Sequence, residues 1–264
     1  MIRKLLIPVL FLSLFVLGSC SKYQKLLKST DNDLKYETAM DYYEKKDFTR
    51  SLELFDLLQS AYRGTTKGEE ISYRMAYCYY YLKDYTVASF YFKKHAETYP
   101  TSARAEECSF MNAYCYYLDS PRASLDQSNT YLALKELQAF ADQYPKSGRI
   151  AESNKLIDDL RAKLEEKDFN VALLYLKMMD YQAAITSFQN LLRRYPDTER
   201  GEEVLQNMVI ANFEYAERSI PEKQRERYEA AIESFNNLRF QYPESQYLVK
   251  LEPIHNKARK KIAN

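Results

Sequence analysis

The sequence predicts an all-α solenoid of about five helical hairpins, with lengthened helices and a C-terminal capping helix. Three observations predict it. First, an aromatic, a small residue and a second aromatic recur at fixed spacing, as in Tyr85, Ala88 and Phe92, with Tyr99-Pro100 closing the stretch. The frame returns at Phe48, Ser51 and Phe55, at Tyr181, Ala184, Phe188, Tyr195 and Pro196, and at Tyr228, Ala231, Phe235, Tyr242 and Pro243. A weaker copy carries Ala133, Leu137, Tyr144 and Pro145. The small residue lets two helices approach closely, and the aromatic one turn later fills the space beside that contact. Proline then stops the helix, having no N–H and disfavouring helical geometry before it. Second, each copy follows a matching first helix: YETAMDYYEK, ISYRMAYCYYYL, CSFMNAYCYYL, FNVALLYLK and QNMVIANFEYA. Third, 5 Gly and no Trp against 25 Tyr and 13 Phe describe helical packing built on amphipathic rings.

Helix pairs with this pattern resemble tetratricopeptide repeats, whose period is about 34 residues. Here Ser51, Ala88, Ala133, Ala184 and Ala231 are 37, 45, 51 and 47 residues apart, so longer helices and loops carry the excess. A solenoid of this kind grows linearly, each repeat touching its neighbours.

Residues 1–19 read as a targeting segment. Arg3 and Lys4 precede an apolar run from Leu5 to Leu17, too short to span a bilayer, which marks a cleaved signal. Leu17-Gly18-Ser19-Cys20 resembles the bacterial lipobox, and by that resemblance Cys20 becomes the N-terminal residue and carries the lipid. Ser21 in place of Asp, and no acidic run after Cys20, are features of lipoproteins sent to the periplasmic leaflet of the outer membrane. Residues 20–33 are expected to form a lipidated tether, polar and Lys-rich, able to reach about 40 Å if extended.

Residues 34–147 hold repeats 1 to 3. First helices line the inner wall of such solenoids, and a 37-residue alignment gives three rows there. Tyr36, Tyr73 and Phe110 form one, Met40, Tyr77 and Tyr114 the second, and Tyr43, Tyr80 and Tyr117 the third. Aromatic rows at helical spacing commonly serve as core. AYCYYYL, however, places four tyrosines in five positions around one helix, so some must line a surface, where a ring with a hydroxyl suits an extended peptide. The nine residues are therefore a candidate peptide groove. Cys78 and Cys115 occupy equivalent places on neighbouring first helices, a helix spacing of about 8 to 10 Å apart, too far for a disulfide. With Cys108 they read as small buried residues. No metal site is expected: CxxC and HxxxH spacings are missing, and His95 and His255 lie on different repeats. DSPRASLDQSNT splits the third hairpin and reads as a loop, either a partner contact or a plain connection.

Residues 148–264 begin with Ile150, Ile157, Leu160 and Leu164 at helical spacing among many charges, predicting one long helix that runs into repeat 4 and divides the array. Repeats 4 and 5 follow, joined by RSIPEKQRERYE. Ile254, Ala258 and Ile262 can cover the last hairpin as a cap, and Lys257, Arg259, Lys260 and Lys261 sit where a helix C-terminus favours positive charge.

Phe169 to Thr198, with Val171-Ala172-x-x-Tyr175, Tyr181-x-Ala183-Ala184 and Tyr195-Pro196-Asp197-Thr198, resembles the fourth repeat of the BamD family, outer-membrane lipoproteins of the β-barrel assembly machinery. Tyr144-Pro145-Lys146-Ser147, the split third repeat and the long helix after it are similar too. Ser187 stands where many members carry Arg, so a contact made by that arginine is not carried over. The resemblance implies a non-enzymatic scaffold on the periplasmic side of the outer membrane. Its C-terminal repeats would bind the POTRA domains of a BamA-like barrel subunit. Its N-terminal repeats would receive unfolded barrel precursors, whose last strand typically ends in an aromatic.

Other functional classes fit less well. A formal charge of +1, which loss of Arg3 and Lys4 with residues 1–19 turns to −1, gives no basic face for nucleic acid. Two histidines and five glycines assemble no catalytic triad, metal spacing or phosphate loop, so neither an enzyme nor a cofactor is expected. A glycan-capturing lipoprotein would lean on Trp, which the chain lacks. The main alternative is a periplasmic tetratricopeptide adaptor for envelope constriction or peptidoglycan synthesis, against which the lipobox and five-repeat body count.

Overall fold

The computed structural model describes residues 22–263, so the expected signal segment and the expected lipid attachment at Cys20 lie outside the described residues. Regular structure among the described residues is helical: α1 (Asn32–Glu44), α2 (Phe48–Leu58), α3 (Thr66–Tyr81), α4 (Tyr85–Thr98), α5 (Ala105–Leu118), α6 (Ser128–Gln143), α7 (Ile150–Lys177), α8 (Tyr181–Arg194), α9 (Gly201–Glu217), α10 (Pro221–Gln241) and α11 (Gln246–Ala263). Among the described residues, none of these helices is long and apolar enough to cross a membrane.

The chain forms two compact units. One comprises residues up to Pro121 with Gln127–Ile157, and the other comprises Arg122–Asp126 with Asp158–Asn264. The two units part within α7. In the first unit α1 packs on α2, α3 on α4 and α5 on α6, while α2 against α3 and α4 against α5 join successive hairpins. In the second, α9 packs on α8 and α10, and α11 covers α9 and α10. Ile254, Ala258 and Ile262 of α11 lie against Phe213 and Tyr228, the cap expected of them.

The small and aromatic positions form the core. Ser51, Ala88, Ala133, Ala184 and Ala231 are all buried, as are Phe55, Phe92, Leu137, Phe188 and Phe235. Ala39, Ala76 and Ala172 lie twelve residues before Ser51, Ala88 and Ala184 and are buried with them. At the first of these contacts Ser51 Oγ donates to the Ala39 carbonyl (2.9 Å), satisfying a hydroxyl that burial would otherwise penalise.

Three hairpin turns share one construction. Lys46, Lys83 and Met179 take φ of 61°, 62° and 61°. In each, the following Asp N–H donates five residues back, from Asp47 to Tyr42, Asp84 to Tyr79 and Asp180 to Tyr175. The left-handed residue itself donates three back, to Tyr43, Tyr80 and Leu176. This Schellman arrangement satisfies the last carbonyls of one helix. The same Asp then caps the next: the Asp47, Asp84 and Asp180 carboxylates accept from the N–H groups of Arg50, Val87 and Ala183.

A second construction joins hairpin to hairpin. After Tyr-Pro the chain reads Tyr99-Pro-Thr-Ser102-Ala-Arg104, Tyr144-Pro-Lys-Ser147-Gly-Arg149 and Tyr195-Pro-Asp-Thr198-Glu-Arg200. Each Ser or Thr N–H donates to the Tyr carbonyl, and its hydroxyl donates to a glutamate of the preceding first helix, near the start of α3 and α5 and in the middle of the long α7. The pairs are Ser102 with Glu69 (2.6 Å), Ser147 with Glu106 (2.5 Å) and Thr198 with Glu165 (2.5 Å). Each Arg lies over the aromatic one turn beyond that glutamate, on Tyr73 (4.3 Å), Phe110 (4.5 Å) and Phe169 (4.7 Å).

The expected tether is corrected by its own packing. Residues 22–27 are helical, and Tyr23, Leu26 and Leu27 pack on the core of the first hairpin. Tyr23 donates to Glu53 (2.6 Å), meets Tyr42 edge-on at 5.7 Å and lies under Arg50. An aromatic and two leucines at helical spacing are enough apolar surface to hold such a segment down.

Candidate functional site

The candidate groove residues all lie in the first unit, on α1, α3 and α5. Eight of the nine are half-buried, with part of each side chain at the surface and the rest packed: Tyr36, Met40, Tyr43, Tyr73, Tyr77, Tyr80, Tyr114 and Tyr117. Phe110 is corrected. At 1 % exposure it is core, edge-on to Phe140 at 5.4 Å with Arg149 over its ring. With no hydroxyl to hold near water, nothing opposes its complete burial.

The tyrosines are held by carboxylates that the aromatic rows did not reveal. Glu107 accepts from Tyr73 Oη (3.1 Å) and Tyr77 Oη (2.5 Å). Glu70, at the same place one repeat earlier, pairs with Arg74 (2.6 Å) and Arg104. Asp33, one repeat earlier again, accepts from Tyr62 Oη and Lys67, both at 2.7 Å. Asp33, Glu70 and Glu107 thus form an acidic row at the 37-residue spacing of the tyrosine rows. Arg74 also reaches Glu44 (3.6 Å) and covers the Tyr43 ring at 4.5 Å.

Protonation follows from this packing. Burial, then the Glu107 hydrogen bond, pushes the Tyr77 hydroxyl far up. Burial and the Glu107 charge push Tyr73 up to about 12. Burial raises Tyr36, Tyr43 and Tyr80 as well. Burial also works against the Glu70 charge, but Arg74 and Arg104 outweigh it and hold the carboxyl below its usual range. The face therefore presents rings together with the protonated hydroxyls of Tyr73 and Tyr77, beside the Glu70 pair with Arg74 and Arg104.

At the turn end the rings open to solvent. Phe48 and Tyr81 stack at 4.6 Å, with Tyr43 at 5.6 Å from Phe48 and Tyr77 at 5.7 Å from Tyr81. Tyr43, Phe48 and Tyr81, with Glu44 and Lys46, line a cleft of about 290 Å³, and Tyr81 is 48 % exposed. Tyr80 continues the ring contacts to Tyr85 at 5.8 Å, and Tyr114 stacks on Tyr117 at 5.9 Å. Phe48 and Tyr81 were outside the three rows. The signal for Tyr81 lay one turn beyond Tyr77, and that for Phe48 just after the Asp47 cap.

The arrangement can stack on apolar side chains and donate hydrogen bonds. Cys78, Cys108 and Cys115 are unpaired and buried, each thiol pushed up to about 12 by burial. His95 is fully buried beside Tyr73 and Tyr99, neither ring nitrogen has a hydrogen-bond partner, and burial lowers its pKa. Among the described residues no group of three or more His, Cys, Asp or Glu could hold a metal ion.

Comparison with known proteins adds a family. The family model YfiO, described as an outer membrane lipoprotein, matches residues 28–227. No curated protein sequence matches the chain. Among solved structures, the P58(IPK) TPR domain aligns at 13 % identity and a TM-score of 0.42, covering 91 % of this chain and 68 % of its own. The TPR2AB-domain:pHSP90 complex of yeast Sti1 aligns at 12 % identity and 0.41, covering 88 % of this chain and 98 % of its own.

Proposed function

The chain belongs to the YfiO family of outer membrane lipoproteins, and from that premise we propose that it is a non-catalytic scaffold of the machinery that assembles β-barrels in the outer membrane. Lipidated at Cys20 and held on the periplasmic side, it receives unfolded barrel precursors on the aromatic face of its first unit. The repeats of its second unit engage the POTRA domains of a BamA-like subunit. The observation that carries this reading is the half-exposed aromatic face, in which burial keeps the Tyr73 and Tyr77 hydroxyls protonated and Glu70 is already paired with Arg74 and Arg104. Such a face favours an extended chain with apolar side chains over a charged ligand.

A tagged chain recovered from detergent-solubilised outer membranes, beside a Cys20→Ala control, is expected to bring down a barrel protein with POTRA domains. Recovery of division or peptidoglycan enzymes instead would overturn the reading. In a separate titration, Tyr81→Ala is expected to weaken a labelled precursor peptide ending in an aromatic by about 10-fold, the loss of one well-packed contact. Unchanged affinity would remove the turn-end cleft from the binding face.

A further inference from the structure

The docked N-terminal segment changes where the anchor lies. A free tether would let the body stand about 40 Å from its lipid. Packing begins at Tyr23, however, and Lys22 is already helical. Only two peptide links separate Cys20 from Lys22, at most about 7 Å. If Cys20 is acylated, the first hairpin sits at the head groups.

The segment is built to face them. Tyr23, Leu26 and Leu27 pack on the core of the first hairpin, whereas Lys22, Lys25 and Lys28, recurring at every third residue, are exposed. Glu53, a carboxylate that the segment meets, accepts from the Tyr23 hydroxyl. No ion pair engages the three lysines among the described residues. An acyl chain beside a cluster of lysines is the two-signal arrangement by which a surface grips anionic lipid.

We propose that residues 22–28 form a membrane seat: docked on the first hairpin, they present Lys22, Lys25 and Lys28 to the anionic phospholipid head groups around the anchor. The seat rests on the reading of Cys20 as the lipidated residue, and deepens it by fixing which part of the body meets the membrane. Three lysines near such a surface strengthen partitioning by about 100-fold.

The test uses the mature chain from Cys20 onward. Cys78, Cys108 and Cys115 are buried, so a maleimide carrying a single acyl chain reacts at Cys20. Partitioning is measured onto phosphatidylcholine vesicles with and without phosphatidylglycerol. The expected result is a gain of about 100-fold on the anionic vesicles, lost in Lys22→Gln/Lys25→Gln/Lys28→Gln and kept in Lys135→Gln/Lys146→Gln/Lys155→Gln. Circular dichroism checks that each variant stays folded. Equal partitioning on both vesicles, or equal loss in both variants, would overturn the seat. Mass spectrometry of the chain expressed in cells reads acylation at Cys20 separately. An unmodified Cys20 there would overturn the anchoring reading, whatever the vesicles show.

Discussion

Tyr77 shows what the spacing of residues could and could not reveal. Its row, with Met40 and Tyr114, was legible because repeats impose a period, but the partner of its hydroxyl was not. Glu107 lies 30 residues away on another hairpin, and only packing brings it within 2.5 Å. Tyr77→Phe is therefore expected to lower the unfolding free energy by about 1 to 2 kcal/mol, since a part-buried carboxylate loses a donor. Urea unfolding beside Glu107→Gln and the double variant measures the coupling, and additive losses would show the bond to be worth nothing. His95 sets a pH dependence. Its pKa is depressed in the folded chain, while the unfolded chain protonates near 6.5. Above that pH both states are neutral and nothing is gained or lost. As pH falls below it the unfolded state takes up the proton first, so stability declines. His255, stacked on Phe235 at 4.3 Å, adds to the same trend. Urea midpoints compared just above and below the histidine range should fall together in wild type, and less in His95→Leu. An equal fall in that variant would assign the trend elsewhere. Gly68 carries a third residue-scale expectation: a Cβ there would stand 2.1 Å from the Tyr62 carbonyl oxygen. Backbone cannot swing aside as a side-chain tip can, so Gly68→Ala should cost about 1 to 3 kcal/mol in a denaturant titration.

At the level of helices and turns, the amphipathic pattern and the stopping prolines were enough to place the hairpins and the long α7. The turn chemistry was not read. Lys46, Lys83 and Met179 are not residues that announce a left-handed backbone, because most side chains resist it and glycine is the usual signal. The regular feature was the aspartate that follows, which finishes one helix through its N–H and begins the next through its carboxylate. Asp84→Ala should thus cost about 1 kcal/mol through the lost cap, measured as a lower urea midpoint, whereas Asp56→Ala on the exposed face of α2 should change it little. The clasp between hairpins, Glu-x-x-x-aromatic met by Tyr-Pro-x-Ser/Thr-x-Arg, was visible in the letters only as separate pieces. The residues that meet across it lie 31 to 41 positions apart, a separation at which short-range periodicity carries no information. The weak hydrophobicity of residues 22–27 hid the docked segment for a related reason: three apolar side chains look like solvent-facing leucines until a surface is supplied for them.

For the molecule as a whole, repetition made the architecture legible and concealed the exceptions to it. Aligning hairpins as copies put Phe110 in a groove because Tyr73 stood in the same row, yet Arg149 and Phe140 enclose the ring that lacks a hydroxyl. The long α7 reads from its own periodicity as the element that divides the array, and the compact units part within it. The buried thiols carry a further consequence for how the protein is made. Cys78, Cys108 and Cys115 sit unpaired inside the first unit, protonated and shielded. An exported chain ordinarily meets oxidases that couple exposed cysteines, but these three leave that reach as soon as their helices pack. Maturation of the body then depends on the speed of hairpin assembly and needs no dithiol oxidase or disulfide isomerase, so chain made in a reducing cytosol should be the same folded object as chain made after export.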